Sequence, residues 1–156
     1  IVHYMQPHDP PLGPTGQILR EKYQIAGPIT NDSSMENNRV MELVAKGVIP
    51  TSVARKAYRE TLAMALEEVG SLAAMVNGKV VISADHGEHF GEEPYKLLGP
   101  LYEHYRNPRT VELCKVPWCI LDTGGSRRKI VSGEANQEPI ISARVLENQL
   151  KALGYR

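Results

Sequence analysis

A long amphipathic helix that leads directly into a short strand is the feature that most constrains the fold of this chain. Apolar residues recur at helical spacing from Val53 to Val76, over about seven turns, until Asn77-Gly78 ends the pattern. The following KVVISA segment, Lys79–Ala84, is rich in β-branched residues and is typical of a short buried strand. This order of elements favours a layered α/β domain.

Four further segments complete the predicted order of elements. They are strands at Ile1–Met5 and Val116–Leu121 and helices at Met35–Lys46 and Ile141–Leu153. We predict a long loop over residues 6–33, which are rich in glycine and proline, with a short helix around Ile18–Tyr23. A second irregular stretch is predicted over residues 85–110. We therefore expect a single α/β domain over residues 1–156, with a mostly parallel sheet flanked by helices.

The charge balance of the chain excludes several classes of partner. Its 156 residues include 18 Lys and Arg and 18 Asp and Glu, which gives a formal net charge of zero. No basic face for nucleic acid or for an acidic membrane surface follows from such a balance. No apolar run approaches the roughly 20 residues of a membrane span, so we expect no nucleic acid partner and no membrane span.

The cysteines and the first residue give expectations about compartment and completeness. If Cys114–Leu121 is a strand, Cys114 and Cys119 are five residues apart and point to opposite faces, which argues against a disulfide between them. We expect two reduced, mostly buried thiols and a cytoplasmic location. Because the chain begins at Ile1 and not at a methionine, we interpret it as a fragment or a processed product.

Polar clusters follow two of the predicted strands, at Gln6–Pro10 (QPHDP) and at Asp85–His89 (DHGEH). If these strands are parallel, both clusters lie at the sheet edge where ligands bind in open α/β sheets. Asp85 and His86 could then hold a divalent ion such as Zn²⁺ or Mn²⁺, with Gly87 adopting a positive φ that lets them converge. The pattern serves equally well for a turn capped by Asp85 beside an ordinary exposed histidine.

Val80–Glu88 (VVISADHGE) resembles the strand and metal-binding motif of the alkaline phosphatase superfamily, especially its sulfatase-like hydrolase branch. Further stretches are similar to that branch in order and approximate spacing. They are YMQPHDP at Tyr4–Pro10, LYEHY at Leu101–Tyr105 followed by VPW at Val116–Trp118, and LKALGY at Leu150–Tyr155. The resemblance covers nearly the whole chain and implies the layered α/β fold of that superfamily.

The resemblance also implies roles for individual residues. Asp85 and His86 match the pair that binds a divalent metal, which would be Zn, Mn, Ca or Mg. His8 matches a histidine that contacts the sulfate or phosphate group, or in some branches a second metal. His104 matches a late histidine with a similar role near the leaving group, so His8 and His104 are the predicted catalytic residues.

Three further side chains are predicted to have structural roles. His3 lies inside the first predicted strand, where we expect it to pack in the core. Glu88 and His89 follow the predicted metal ligands directly. We expect them to order the loop and not to bind the metal themselves.

The function that the resemblance implies is metal-dependent hydrolysis of a small-molecule sulfate or phosphate ester by the complete protein. The nucleophile of the family, and an acidic metal ligand from the same early segment, have no counterpart here. The chain thus resembles a C-terminal portion, which we expect to be inactive alone and to form a homodimer or to be completed by an N-terminal segment. Two alternatives remain, which are a non-catalytic binding or structural module of the same fold and a phosphotransferase.

Overall fold

The computed structural model describes residues 1–25, 38–105 and 107–125. The chain divides into two units, and every described element belongs to the first, Ile1–Gly125. The described helices are α1 (Pro14–Tyr23), α2 (Val40–Ala45), α3 (Thr51–Ala74) and α4 (Val111–Cys114). The described strands are β1 (Lys79–Ser83), β2 (His89–Glu92), β3 (Leu101–Glu103) and β4 (Trp118–Asp122). The helix predicted at Ile141–Leu153 lies outside the described residues.

The strands form two antiparallel pairs, and the prediction of a layered, mostly parallel sheet is wrong. β1 pairs with β4, with Val81 opposite Ile120, and β2 pairs with β3 through an irregular register. Residues 1–5, which were to supply a parallel neighbour, form no strand. A parallel sheet is normally covered on both faces, whereas Val81 and Ile120 stay about half exposed, at 44% and 56%. β1 and β4 are therefore real strands, but β1 is not the buried strand of an α/β sheet.

The long helix predicted from the apolar periodicity is confirmed as α3, with 24 residues. Its first half lies against the hydrophobic core through Ala54 and Ala57, both almost fully buried. The core is completed by side chains from α1, α2 and the segments beside them, namely Leu19, Ile25, Val40, Met41, Leu43, Val44 and Ile49.

Over the described ranges, no helix combines the length and the apolar character that crossing a membrane requires.

The loop before α1 is tied to α3 by hydrogen bonds between distant residues. The backbone N–H of Leu12 donates to the Thr61 hydroxyl at 2.9 Å. Thr15 donates through its N–H and its hydroxyl to the two carboxylate oxygens of Glu60, at 2.7 and 2.8 Å. These bonds lower the pKa of Glu60, and the carboxylate binds an N–H of the first turn of α1 that has no partner inside the helix. The part of the predicted long loop that precedes α1 is thus anchored, whereas Pro14–Tyr23 form a helix that is longer than the one predicted within it.

Several local predictions need correction. His3 is exposed and does not pack in the core, because the strand that was to carry it does not form. Cys114 and Cys119 are free, as predicted, but both are exposed. The second irregular stretch contains β2 and β3. These two strands pair with each other and bury His89 and Glu103, which a local composition dominated by polar residues does not predict.

Candidate functional site

Three imidazole rings from separate segments of the chain meet in one cluster, formed by His8, His86 and His104. The ring of His104 stacks on that of His86 with centroids 4.4 Å apart. It also meets the ring of His8 edge-on, with centroids 5.3 Å apart. His8 lies in the loop before α1, His86 in the β1–β2 loop, and His104 directly after β3. The structure therefore brings together three of the four residues that the sequence selected, and the fourth, Asp85, is adjacent to His86.

Asp85 lies at a bend that follows β1, and His86 comes directly after it. The Asp85 carboxylate accepts a hydrogen bond from the backbone N–H of His86 at 3.0 Å. The Nδ1 atom of His86 lies 2.8 Å from the carbonyl oxygen of Gly87, which leaves Nε2 as the nitrogen open to a ligand. Both side chains are exposed. The hydrogen bond within the motif therefore leaves one carboxylate oxygen of Asp85 and one nitrogen of His86 as potential metal ligands.

As a metal centre, this arrangement is only partial. The Nε2 atom of His86 and the Oδ2 atom of Asp85 are 3.9 Å apart, somewhat wider than the roughly 3.4 Å of two tetrahedral ligands. Among the residues that the structure describes, no group of three or more His, Cys, Asp or Glu side chains is placed to hold a metal ion. The two residues can thus supply a pair of ligands, and a full coordination shell needs others.

Glu88 holds His104 in place within the imidazole cluster. The Nδ1 atom of His104 lies 3.0 and 3.1 Å from the two carboxylate oxygens of Glu88. This hydrogen bond is the main reason that the pKa of His104 is raised. The charges of Glu88 and Glu103 add to it, against the opposing effects of burial and of Arg39. Glu88 therefore fixes the ring orientation and favours its protonated form.

His89 connects β2 to the short helix α4. Its ring is almost fully buried, and Nε2 lies 2.9 Å from the Thr110 hydroxyl. Thr110 in turn caps α4 by accepting a hydrogen bond from the N–H of Leu113 at 3.4 Å. These contacts fit the predicted loop-ordering role of His89.

Gly87 does not adopt the positive φ that the sequence suggested. Its backbone instead packs directly against α4, with its N–H donating to the carbonyl oxygen of Leu113 at 2.9 Å. A Cβ atom at this position would lie 1.9 Å from the carbonyl oxygen of Glu112. The motif needs glycine because another segment of backbone occupies the space that a side chain would fill.

Asp9 positions the loop that carries His8, a role that the sequence did not reveal. Its carboxylate accepts a hydrogen bond from the N–H of Val40 at 2.8 Å, at the start of α2. The Nδ1 atom of His8 lies 2.7 Å from the Asp9 carbonyl oxygen. Burial raises the pKa of Asp9, and it outweighs the hydrogen bond from Val40 and the charges of His8 and Arg39, which lower it, while the charge of Glu103 raises it further.

We expect the Asp9→Asn variant to be at least as stable as the parent protein at pH 7. An acid whose pKa is raised by folding stabilises the fold below its ordinary pKa, and this contribution is lost as the pH rises through the raised value. The asparagine oxygen can still accept from Val40 without the cost of a buried charge, and each unit of raised pKa corresponds to about 1.4 kcal/mol. Urea unfolding between pH 4 and pH 8 tests this, because the variant's advantage should grow with pH. An advantage that shrinks with pH would contradict it.

Comparison of the chain with protein-family models, with curated proteins and with solved structures finds no match. The similarity of its motifs to the sulfatase-like branch therefore stays a prediction. The chemistry of the site has to be argued from the positions of His8, His86, His104 and Glu88.

Proposed function

We propose that this unit binds the tetrahedral anion of a sulfate or phosphate ester and contributes His8 and His104 to its hydrolysis. The observation that carries the proposal is the imidazole cluster, in which a hydrogen-bonded His104 lies between His8 and His86. Three rings that converge from distant segments are costly to arrange. A shared ligand is the simplest reason for such an arrangement.

The chemistry of the cluster suits an oxyanion. Imidazole nitrogens can donate hydrogen bonds to several oxygens of one tetrahedral group, and an imidazolium offsets its negative charge. In ester hydrolysis, a histidine beside the leaving oxygen can donate the proton that this oxygen needs as its bond to sulfur or phosphorus breaks. Positioning and charge stabilisation supply most of the rate enhancement in such reactions. Glu88 contributes by holding His104 in one orientation.

Asp85 and His86 are the residues that would hold a divalent metal. Such an ion would offset charge on the ester oxygens. The described residues supply only this pair of ligands, and the anion-binding role proposed for the imidazoles does not require the metal. The imidazole cluster also favours a second candidate function, which is a non-catalytic module that binds oxyanions.

The binding part of the proposal can be tested with the chain alone. We expect orthophosphate and sulfate, added to protein labelled with ¹⁵N at histidine, to shift the ring signals of His8, His86 and His104 in a saturable way. His3 is the internal control, because it is exposed and forms no part of the cluster. Equal shifts at His3 and at the cluster, or no saturation, would contradict an anion site.

Turnover assays with nitrophenyl phosphate, bis-nitrophenyl phosphate and nitrophenyl sulfate separate the candidate functions. They should be run with Zn²⁺, Mn²⁺, Ca²⁺ and Mg²⁺, on the chain and on any longer form of the protein. Turnover supports the hydrolase, capture of the phospho-group by an added alcohol identifies a transferase, and anion binding without turnover in every form supports the non-catalytic module.

We expect Asp85→Asn to lower metal affinity at least tenfold, since loss of even an indirect contact costs about 10- to 100-fold. The matched control is Glu67→Gln, which removes one exposed carboxylate from α3 far along the chain from the motif. Unchanged metal content and turnover in the Asp85 variant would show that Asp85 is not a metal ligand.

A further inference from the structure

A cavity in the same unit, whose lining includes no residue of the imidazole cluster, contains a buried acidic side chain. This cavity of about 200 Å³ lies between α2 and the end of β3. It is lined by Met41, Glu42, Ala45, Lys46, Tyr102, Glu103 and Tyr105. The volume is below the roughly 300–1,000 Å³ of pockets for drug-sized ligands, so any occupant is small.

Glu103 is the unusual residue of this cavity. Only 7% of its surface is exposed, and its Oε1 atom has no hydrogen-bond partner in the described part of the chain. The other oxygen, Oε2, lies 3.6 Å from Arg39, whose side chain is 55% exposed. A buried carboxylate oxygen without a donor is unfavourable. Its backbone is also held at a φ of 64°, which is uncommon for a residue other than glycine.

The rest of the lining indicates what could satisfy Glu103. Tyr102 and Tyr105 present aromatic rings, whose faces attract organic cations. Glu42 adds a second carboxylate, and the charge of Glu103 is the main reason that the pKa of Tyr105 is raised. Calcium requires six to eight oxygen ligands, and no described set of three acidic or metal-binding side chains is placed to hold a metal. Aromatic rings beside a carboxylate with one unsatisfied oxygen suit an organic cation better.

We propose that this cavity binds a small alkylammonium ion, with Glu103 as its ionic partner and Tyr105 as its aromatic contact. The proposal does not depend on ester hydrolysis, because no residue of the imidazole cluster lines the cavity. Lys46 is the only cation of the lining and is itself exposed. Arg39 is the cation of the chain that pairs with Glu103, whereas Lys46→Met only removes a like charge from the lining and is expected to leave binding unchanged or to tighten it.

Titration with tetramethylammonium and ethylammonium chlorides, followed by amide chemical shifts, tests the proposal directly. We expect saturable shifts around Tyr105 and Glu103 with a dissociation constant on the order of 1 mM. Neopentyl alcohol, which has a similar shape without the charge, should bind at least tenfold more weakly, and sodium chloride controls for ionic strength.

Glu103→Gln is expected to weaken alkylammonium binding at least tenfold. The variant should fold, because it removes a buried charge and retains the shape of the side chain. Glu93→Gln, at an exposed carboxylate outside the cavity lining, is the matched control and should bind like the parent. Binding that is unaffected by Glu103→Gln, or equally strong for the neutral alcohol, would overturn the proposal.

A second variant keeps the proposal testable if Glu103→Gln fails to fold. Tyr105 is 63% exposed, so Tyr105→Leu removes the aromatic face without opening the core. We expect about threefold weaker binding of tetramethylammonium, as for a cation–π contact of moderate exposure. No loss of affinity in this variant would exclude the aromatic contact of Tyr105, and with it the proposed mode of cation binding.

Discussion

In any form of the protein that turns over a sulfate or phosphate ester, replacing His104 with alanine is expected to lower turnover about 100- to 10,000-fold, the usual contribution of a positioned acid or base. His104 is the central ring of the imidazole cluster, since it stacks on His86 and meets His8 edge-on. Without His104, these two contacts with the rings of His8 and His86 are lost. The assay is release of nitrophenol from the best substrate of the panel, with the variant's fold checked by circular dichroism.

Two companion variants show whether the effect belongs to the cluster. His3→Ala removes an exposed imidazole from the same chain and should leave turnover unchanged. Glu88→Gln weakens the charge-assisted bond to His104 without removing any ring. Because Glu88 is a positioning residue that orients the proton donor, the Glu88→Gln substitution should lower kcat about tenfold and change KM little. Equal activity of the His104 and His3 variants would refute the catalytic role.

The elements that the sequence predicted well are those whose signal is local. α3 was predictable because its apolar residues repeat at helical spacing over the whole helix, although only its first half packs on the core. β1 and β4 were predictable as strands for a similar reason. Their pairing was not, because strand direction depends on which partner is nearby, and residues 1–5 proved not to be a strand. An error at one short element therefore changed the expected fold class.

For the candidate site as well, the sequence predicted which residues are involved but not how the fold brings them together. The motif selected His8, His86 and His104, and the structure brings their rings together. The expected reason, a shared edge of a parallel sheet, was wrong. The His8 loop is held instead by the hydrogen bond from Val40 to Asp9, between residues 31 positions apart, and that from Leu12 to Thr61, 49 apart. Neither bond leaves a local pattern in the sequence.

Glu103 could not have been selected from the sequence either. A glutamate beside a histidine is ordinary, and only the folded chain shows it buried and at a positive φ. The same applies to Gly87, whose importance was predicted for the wrong physical reason. Its role follows from the approach of α4, which is 25 residues further along the chain at Glu112.

Gly87→Ala is expected to destabilise the unit by about 3 kcal/mol, the upper range for overpacking a well-packed site. The new methyl group would lie 1.9 Å from the Glu112 carbonyl oxygen, and its three nearest neighbours are all backbone atoms, so no side chain can rotate away. The loop must therefore move away from α4, which breaks the hydrogen bond from Gly87 to Leu113. Urea unfolding measures the loss, and the displaced loop should also weaken phosphate binding at His86.

Gly70→Ala is the matched control, because it makes the same chemical change where a methyl group has space. Gly70 lies inside α3, is exposed, and has nothing within 4 Å of the new Cβ position. Alanine is better than glycine in a helix by about 1 kcal/mol, so this variant should be stabilised by that amount and should bind phosphate normally. Opposite signs for the two glycines would attribute the Gly87 effect to the contact with α4. If Gly87→Ala were as stable as the parent, the packing of the motif loop against α4 would be wrong, and with it the placement of His86 beside His104.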